Sequence, residues 1–219
     1  MKKQPIRAVL FDLDGTLLYT LGDIKASVNV PLVNRGLEPI TIEECREIVG
    51  HGLRNAIETS FIRRGYEADE KELDQALIEL QTYYKANPTK YCKPYDKIND
   101  TLKKINIPFG IFSNKDDKIV KQIVPVVFPG IKFDFVCGAK DGILKPNGSR
   151  VIEFSNQVGI DVSQMLYVGD SEVDYKTAVD AKSQVLLVTW GYRDKEELVK
   201  FEVPTVDSVE DLWRFINAN

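Results

Sequence analysis

Histidine is almost absent from this chain. His51 is the only one in 219 residues, so a histidine-based mechanism has no second partner. Cysteine is also scarce. Cys45, Cys92 and Cys137 are odd in number and widely scattered, and no Cys-x-x-Cys pair occurs. That spacing argues against a zinc site or a disulfide framework and fits a reducing, cytoplasmic compartment. Basic excess is missing: 29 Lys and Arg stand against 33 Asp and Glu, for a formal charge of −4. With no basic stripe or cluster, neither nucleic acid nor a membrane surface is an expected partner. No apolar run reaches transmembrane length. The first residues lead straight into a short apolar strand, too brief for a signal-peptide core. Internal repeats, low-complexity tracts and long linkers are absent as well.

What is present is an ordinary globular balance, 43% hydrophobic and 28% charged, in a chain long enough for one large domain or two small ones. Its most informative stretch is Arg7-Ala8-Val9-Leu10-Phe11-Asp12-Leu13-Asp14-Gly15-Thr16-Leu17-Leu18. The apolar, partly β-branched run reads as a buried parallel strand. Alternation at the strand end points Asp12 and Asp14 to the same side. Two like charges that close are costly unless a cation sits between them, and hard oxygen ligands suit Mg²⁺. Alone, Asp-x-Asp-Gly also reads as a polar turn.

The period then becomes helical. Leu21, Ile24, Val28 and Leu32 share a face, with Pro31 as a kink or break and a stop near Gly36. Thr41-Ile42-Glu43-Glu44 is a capping-box pattern, Gly50-His51-Gly52 breaks that helix, and a further helix carries Ile57 and Phe61. Asp69 to Glu72 caps a long helix marked by Leu73, Leu77, Leu80 and Tyr84. No strand pattern interrupts residues 20 to 87. From Tyr91 onward strands and helices alternate, which is the pattern of a parallel sheet. The fold class expected is therefore α/β, a doubly wound, Rossmann-like parallel-sheet core (residues 1–18 and 88–219) carrying an inserted all-helical domain (19–87). Phe109–Phe112, Phe133–Cys137, Met165–Val168 and Val185–Val188 are the later strands, the last being the final clear one.

In open parallel sheets, ligands bind outside the carboxyl ends of the strands. Those ends carry Asp12 and Asp14, then Ser113-Asn114-Lys115, then Lys145-Pro146 in the following loop, then Gly169-Asp170-Ser171-Glu172 with Asp174. Carboxylates can hold Mg²⁺, while a hydroxyl, backbone amides and a lysine can hold phosphate oxygens. Four such groups in order at four strand ends are a specific signal.

These residues identify a resemblance. Phe11-Asp12-Leu13-Asp14-Gly15-Thr16-Leu17, Ser113-Asn114-Lys115, Lys145-Pro146 and Val168-Gly169-Asp170-Ser171 with Asp174 match the four motifs of haloacid dehalogenase-superfamily hydrolases with a helical cap. The chain is most similar to the phosphoglycolate phosphatase branch, which Trp190-Gly191-Tyr192 also resembles. The resemblance implies a Mg²⁺-dependent phosphoric monoester hydrolase acting on a small phosphorylated substrate, with phosphoglycolate leading. Asp12 is then the nucleophile that forms an aspartyl-phosphate, and Asp14 the acid and base. Mg²⁺ is then held by the Asp12 carboxylate, the Asp14 carbonyl and Asp170, with Asp174 ligating or steadying it. Ser113 and Lys145 then bind phosphoryl oxygens, and Lys145 also keeps Asp12 ionised. The chain departs from the pattern at Tyr19, Asp116, Asn147 and Lys182, none of which removes a chemical group.

Several residues carry two readings. His51 is a substrate-facing loop residue or a plain polar one. Arg54 meets a substrate carboxylate or is a solvated arginine at a helix start. Asn114 contacts phosphate or caps the next helix, and Lys115 shapes its turn rather than touching substrate. The rival functions are a sugar-phosphate mutase, which keeps the aspartyl-phosphate but excludes water, and a catalytically silent binding protein on the same fold. A dehalogenase would need neither Asp14 as acid nor Mg²⁺.

Overall fold

The computed structural model describes residues 4–50 and 52–218. In chain order its elements are β1 (Ala8–Phe11), β2 (Leu18–Tyr19), α1 (Leu21–Asn34), α2 (Ile42–Ile48), α3 (Leu53–Ile62) and α4 (Glu70–Ala86). Then come β3 (Lys93–Pro94), α5 (Ile98–Leu102), β4 (Phe109–Asp116), α6 (Asp117–Val127), β5 (Phe135–Ala139) and α7 (Ser149–Val158). The chain closes with β6 (Met165–Gly169), α8 (Glu172–Ala181), β7 (Gln184–Val188), α9 (Lys195–Leu198), β8 (Thr205–Val206) and α10 (Val209–Ala218). They form two compact units, Met1–Tyr19 with Pro94–Asn219, and Thr20–Lys93.

The first unit is built on a six-stranded sheet of order β5-β4-β1-β6-β7-β8, parallel at every pairing. This is the α/β sheet that the alternating pattern predicts. β1 is central because all four of its residues are apolar and fully buried. A strand covered on both faces cannot alternate with polar residues. Ala8 and Leu10 pack into one cluster with Phe112, Tyr167, Val151 and Phe154. Each such large side chain contributes roughly 1.5–3 kcal/mol by leaving water. The chain leaves β1 for β4 and β5 on one side, then crosses back to β6, β7 and β8 on the other. The resulting switch point lies at the carboxyl end of β1.

Two local findings refine the sequence reading. β4 does not stop at Phe112 but runs to Asp116, with a register shift against β5 between those residues. Asp116 then caps α6, accepting from Lys118 N at 3.0 Å and Ile119 N at 3.3 Å. β8 adds a strand beyond Val188.

The second unit is helical. α1 buries Leu21, Ile24, Val28 and Leu32 and runs through Pro31 without a break. The Thr41 capping box is formed, with Glu44 N donating to Thr41 Oγ1 at 3.1 Å and Thr41 N to Glu44 Oε2 at 2.8 Å. Asp69 caps α4 through Glu72 N at 2.8 Å. Buried Asp23 accepts from the backbone amides of Tyr91 and Cys92 at 2.8 and 2.7 Å, so the returning chain is tied to the start of α1. No helix among the described residues is long and apolar enough to cross a membrane.

Candidate active site

The register of the sheet assembles the site. Phe11 lies opposite Ile111 on one side and Val168 on the other. Asp12 is the next residue after Phe11, while Ser113 and Asp170 stand two residues beyond its partners Ile111 and Val168. All three therefore reach the same rim, and Asp12 N is fixed by Val168 O at 2.8 Å. Gly15 completes the turn. Its φ is +90°, and a Cβ there would lie 2.3 Å from Asp170 Oδ2. Any side chain at Gly15 would push Asp170 out.

Lys145 lies at the centre. Its ammonium donates to Asp12 Oδ1 and Asp174 Oδ1, both at 2.6 Å. The Lys145 backbone is clamped by Asn114, whose Oδ1 accepts from Lys145 N at 2.6 Å and whose Nδ2 donates to Lys145 O at 3.1 Å. Asp174 spends its other oxygen on Asp170 N, Ser171 N and Ser171 Oγ, at 3.1, 3.1 and 2.6 Å. It stands at the third position of α8, in a capping box begun by Ser171. Asp170 in turn accepts from Tyr192 N at 2.7 Å, and Trp190 Nε1 donates to Thr16 O at 3.1 Å. The Trp190-Gly191-Tyr192 segment therefore braces both the turn after β1 and Asp170.

Asp14 is held from β4. Lys115 Nζ lies 2.9 Å from its Oδ1, and Ser113 Oγ donates to its Oδ2 at 3.3 Å. Lys115, which by sequence shapes its turn rather than touching substrate, is a buried second lysine in the cluster. Strand alternation is the signal that finds it, since residues 113 and 115 of an extended segment share a face. Tyr167 is a second unanticipated residue. Its buried hydroxyl donates to Phe112 O at 3.0 Å beneath the site.

The electrostatics follow from crowding. Burial pushes the Asp12 carboxyl well above the usual carboxylate range, Lys145 opposes this, and Asp174, Asp170 and Asp14 add to it. Burial, then Asp174, pushes Asp170 up to about 7, against its bond from Tyr192 N. Burial opposes the charge on Lys145, but Asp12 and Asp174 outweigh it and hold the ammonium well above the lysine range. Carboxylate oxygens of Asp12, Asp170 and Asp174 lie within 4.8 Å of one another. Four carboxylates face two ammonium groups, a formal excess of two negative charges. A divalent cation matches that excess and prefers such oxygen donors.

Of the remaining candidates, only Arg54 is among the described residues. Arg54 opens α3 and pairs with Asp74 and Glu70 of α4, which places carboxylates on its guanidinium. His51 lies outside the described residues.

Residues 9–188 match the model of the haloacid dehalogenase-like hydrolases. The chain is 29% identical over 199 residues to phosphoglycolate phosphatase of Agrobacterium fabrum, covering 89% of this chain and 85% of that one. It is 28% identical over 201 residues to N-acetylmuramic acid 6-phosphate phosphatase of Pseudomonas aeruginosa, covering 90% and 88%. Its fold superposes with TM-score 0.90 on a crystal structure from Lactobacillus delbrueckii subsp. bulgaricus provisionally named phosphoglycolate phosphatase, at 26% identity over 97% of this chain and 99% of that one.

Proposed function

Because this chain belongs to the haloacid dehalogenase-like hydrolase family, we propose that it is a Mg²⁺-dependent phosphatase of small phosphate monoesters, working through an aspartyl-phosphate on Asp12. One observation carries the reading: Asp12 is a buried carboxylate held 2.6 Å from the Lys145 ammonium, among further carboxylates in charge excess over the lysines. Lys145 opposes the burial that favours the protonated form of Asp12 and aims its carboxyl, and its positive charge also faces incoming phosphoryl oxygens. Asp14 is the acid that protonates the departing oxygen and the base that then takes a proton from water. Ser113 supplies a hydroxyl to a phosphoryl oxygen. Asn114 acts through Lys145, whose backbone it clamps on both sides.

The donor set fits a magnesium ion. Asp12 and Asp170 would supply carboxylates, and the Asp14 carbonyl would complete the protein's contribution. Asp174 steadies the set, because both of its oxygens are engaged by Lys145, Ser171 and backbone amides. When bound, Mg²⁺ offsets the negative charge of the site and of the phosphoryl group.

For the substrate, the two relatives' names share a chemistry. Phosphoglycolate and N-acetylmuramic acid 6-phosphate are both phosphate monoesters of carboxylic acids. We propose a substrate of that class, with phosphoglycolate first, the helical unit acting as cap, and Arg54 and His51 as its candidate contacts.

The test is a panel of phosphate esters assayed for released phosphate with Mg²⁺ and with EDTA, followed by rapid-quench mass spectrometry of the Asp12 peptide. Release that needs Mg²⁺, a phosphorylated Asp12, and loss of both in Asp12→Asn are the expected results. With Asp14→Asn, acetyl phosphate still phosphorylates Asp12, and the intermediate persists. Phosphate on another residue, or release without metal, overturns the reading.

A further inference from the structure

Lys115 sits where a solvated lysine would not. Its side chain is 3% exposed and its ammonium lies 2.9 Å from Asp14 Oδ1, on a carboxylate that is itself only 15% exposed. A lysine buried to that depth is costly unless it is paired. Its backbone is fixed as well. A Cβ on Gly138 of β5 would lie 2.3 Å from the Lys115 carbonyl oxygen, so β5 passes directly against this residue only because position 138 has no side chain. Ser113 Oγ links the two, accepting from Lys115 N at 3.1 Å and donating to Asp14 Oδ2 at 3.3 Å.

The two oxygens of Asp14 are therefore not equivalent. Oδ1 faces an ammonium on a rigid strand end; Oδ2 faces a hydroxyl that can rotate. We infer that Lys115 is a positioning residue for Asp14, anchoring Oδ1 so that Oδ2 is the oxygen that exchanges the proton. This rests on the phosphatase reading above. When the Ser113 hydroxyl turns to a phosphoryl oxygen, its bond to Oδ2 is given up while Oδ1 stays with Lys115. The Asp12–phosphorus bond forms, the ester P–O bond breaks, and the proton on Oδ2 passes to the departing oxygen. In the second half, Oδ2 takes a proton from water as its oxygen bonds to phosphorus and the Asp12–phosphorus bond breaks. Lys115 is unchanged at the end of the cycle.

The inference separates esters by leaving group. An alkyl alkoxide needs the proton; 4-nitrophenolate does not. Single-turnover phosphorylation of the full chain with Mg²⁺ is compared for phosphoglycolate and 4-nitrophenyl phosphate, in wild type, Lys115→Met and Lys115→Arg. Methionine keeps an unbranched apolar stem one atom shorter and removes the charge. Lys115→Met is expected to lose about 10²-fold on the alkyl ester, the low end of acid catalysis, and at least tenfold less on the nitrophenyl ester, with KM for both little changed. Lys115→Arg, which keeps a cation, is expected to recover part of the alkyl-ester rate, and it carries the test if the methionine variant does not fold. Equal losses on the two esters, no loss on either, or a change confined to KM would overturn the inference while leaving the phosphatase reading in place. No phosphate release from either ester by wild type would overturn both.

Discussion

Replacing Asp170 by asparagine removes the carboxyl whose ionisation the fold opposes. Burial, then the charge of Asp174, lifts it from its usual 3.8 to about 7. The sign is the reverse of an ordinary ion-paired aspartate. The folded chain holds this proton more tightly than the unfolded chain, so its contribution to stability falls as pH rises from about 4 to about 7 and changes no further above. The full span is about 4 kcal/mol, most of it lost between pH 5 and pH 8 (roughly 2–3 kcal/mol), at ~1.36 kcal/mol per pK unit. Asparagine keeps an oxygen for Tyr192 N and has no such pH term. In EDTA, the stability of Asp170→Asn relative to wild type should therefore rise by that amount between pH 5 and pH 8, a difference in Tm of about 5–10 °C for a chain of this size. Both tryptophans, Trp190 and Trp213, lie in the α/β unit, so their fluorescence reports on the part that carries the site. Saturating Mg²⁺ should stabilise wild type, by about 4 kcal/mol at a thousandfold excess over Kd, and the variant much less. Parallel pH profiles for the two proteins in EDTA would refute the argument, because they would mean that Asp170 titrates alike in the folded and unfolded chains.

Arg54→Ala is expected to raise KM for phosphoglycolate several-fold while sparing 4-nitrophenyl phosphate, measured by steady-state phosphate release; equal effects on both would return Arg54 to its pairs with Glu70 and Asp74. Lys182 ends α8 at φ 61°, ψ 31°, a left-handed conformation that costs a residue with a Cβ roughly 1–2 kcal/mol. Lys182→Gly should therefore raise the urea midpoint, with a net gain of about 0.5–1 kcal/mol once glycine's own unfolded-state entropy is allowed for; an unchanged or lowered midpoint counts against that accounting.

The sheet was legible because its strands are apolar runs covered on both faces: Ala8–Phe11, Met165–Val168 and Val185–Val188 carry their own signal. What escaped was the part of the sheet made from polar residues. Ser113, Asn114, Lys115 and Asp116 read as a turn by composition, yet they continue β4 because Asp116 still pairs with Ala139 across the register shift. β8 escaped because Thr205–Val206 is a two-residue strand recruited by β7, and so short a segment has no period. Pro31 reads as a kink or break in α1, but the helix continues through it: Arg35 Nη1 bonds to the Pro31 carbonyl at 2.9 Å and the buried face on either side holds the helix together.

For the site, residue types at strand ends were enough to collect Asp12, Asp14, Ser113, Asn114, Lys145, Asp170 and Asp174 in one list, since a parallel sheet delivers its strand ends to one rim. Pairing within that list is a different problem. Whether Asp174 faces a metal ion or a lysine depends on an α8 capping box that consumes its second oxygen. Asn114 grips Lys145 because the loop after β5 returns beside β4. The Ser171–Asp174 box is local, but the Asn114–Lys145 and Lys145–Asp174 contacts join residues 31 and 29 positions apart, at distances set by register and loop path that no local pattern encodes. Lys115 is the intermediate case. Its neighbour in space, Asp14, could not be read from the chain, but its direction could, because Ser113 and Lys115 alternate to one face once the segment is taken as strand. The error lay in treating a polar triplet as the end of β4; with the strand extended to Asp116, a second lysine at the rim follows from the same alternation that placed Asp12 beside Asp14.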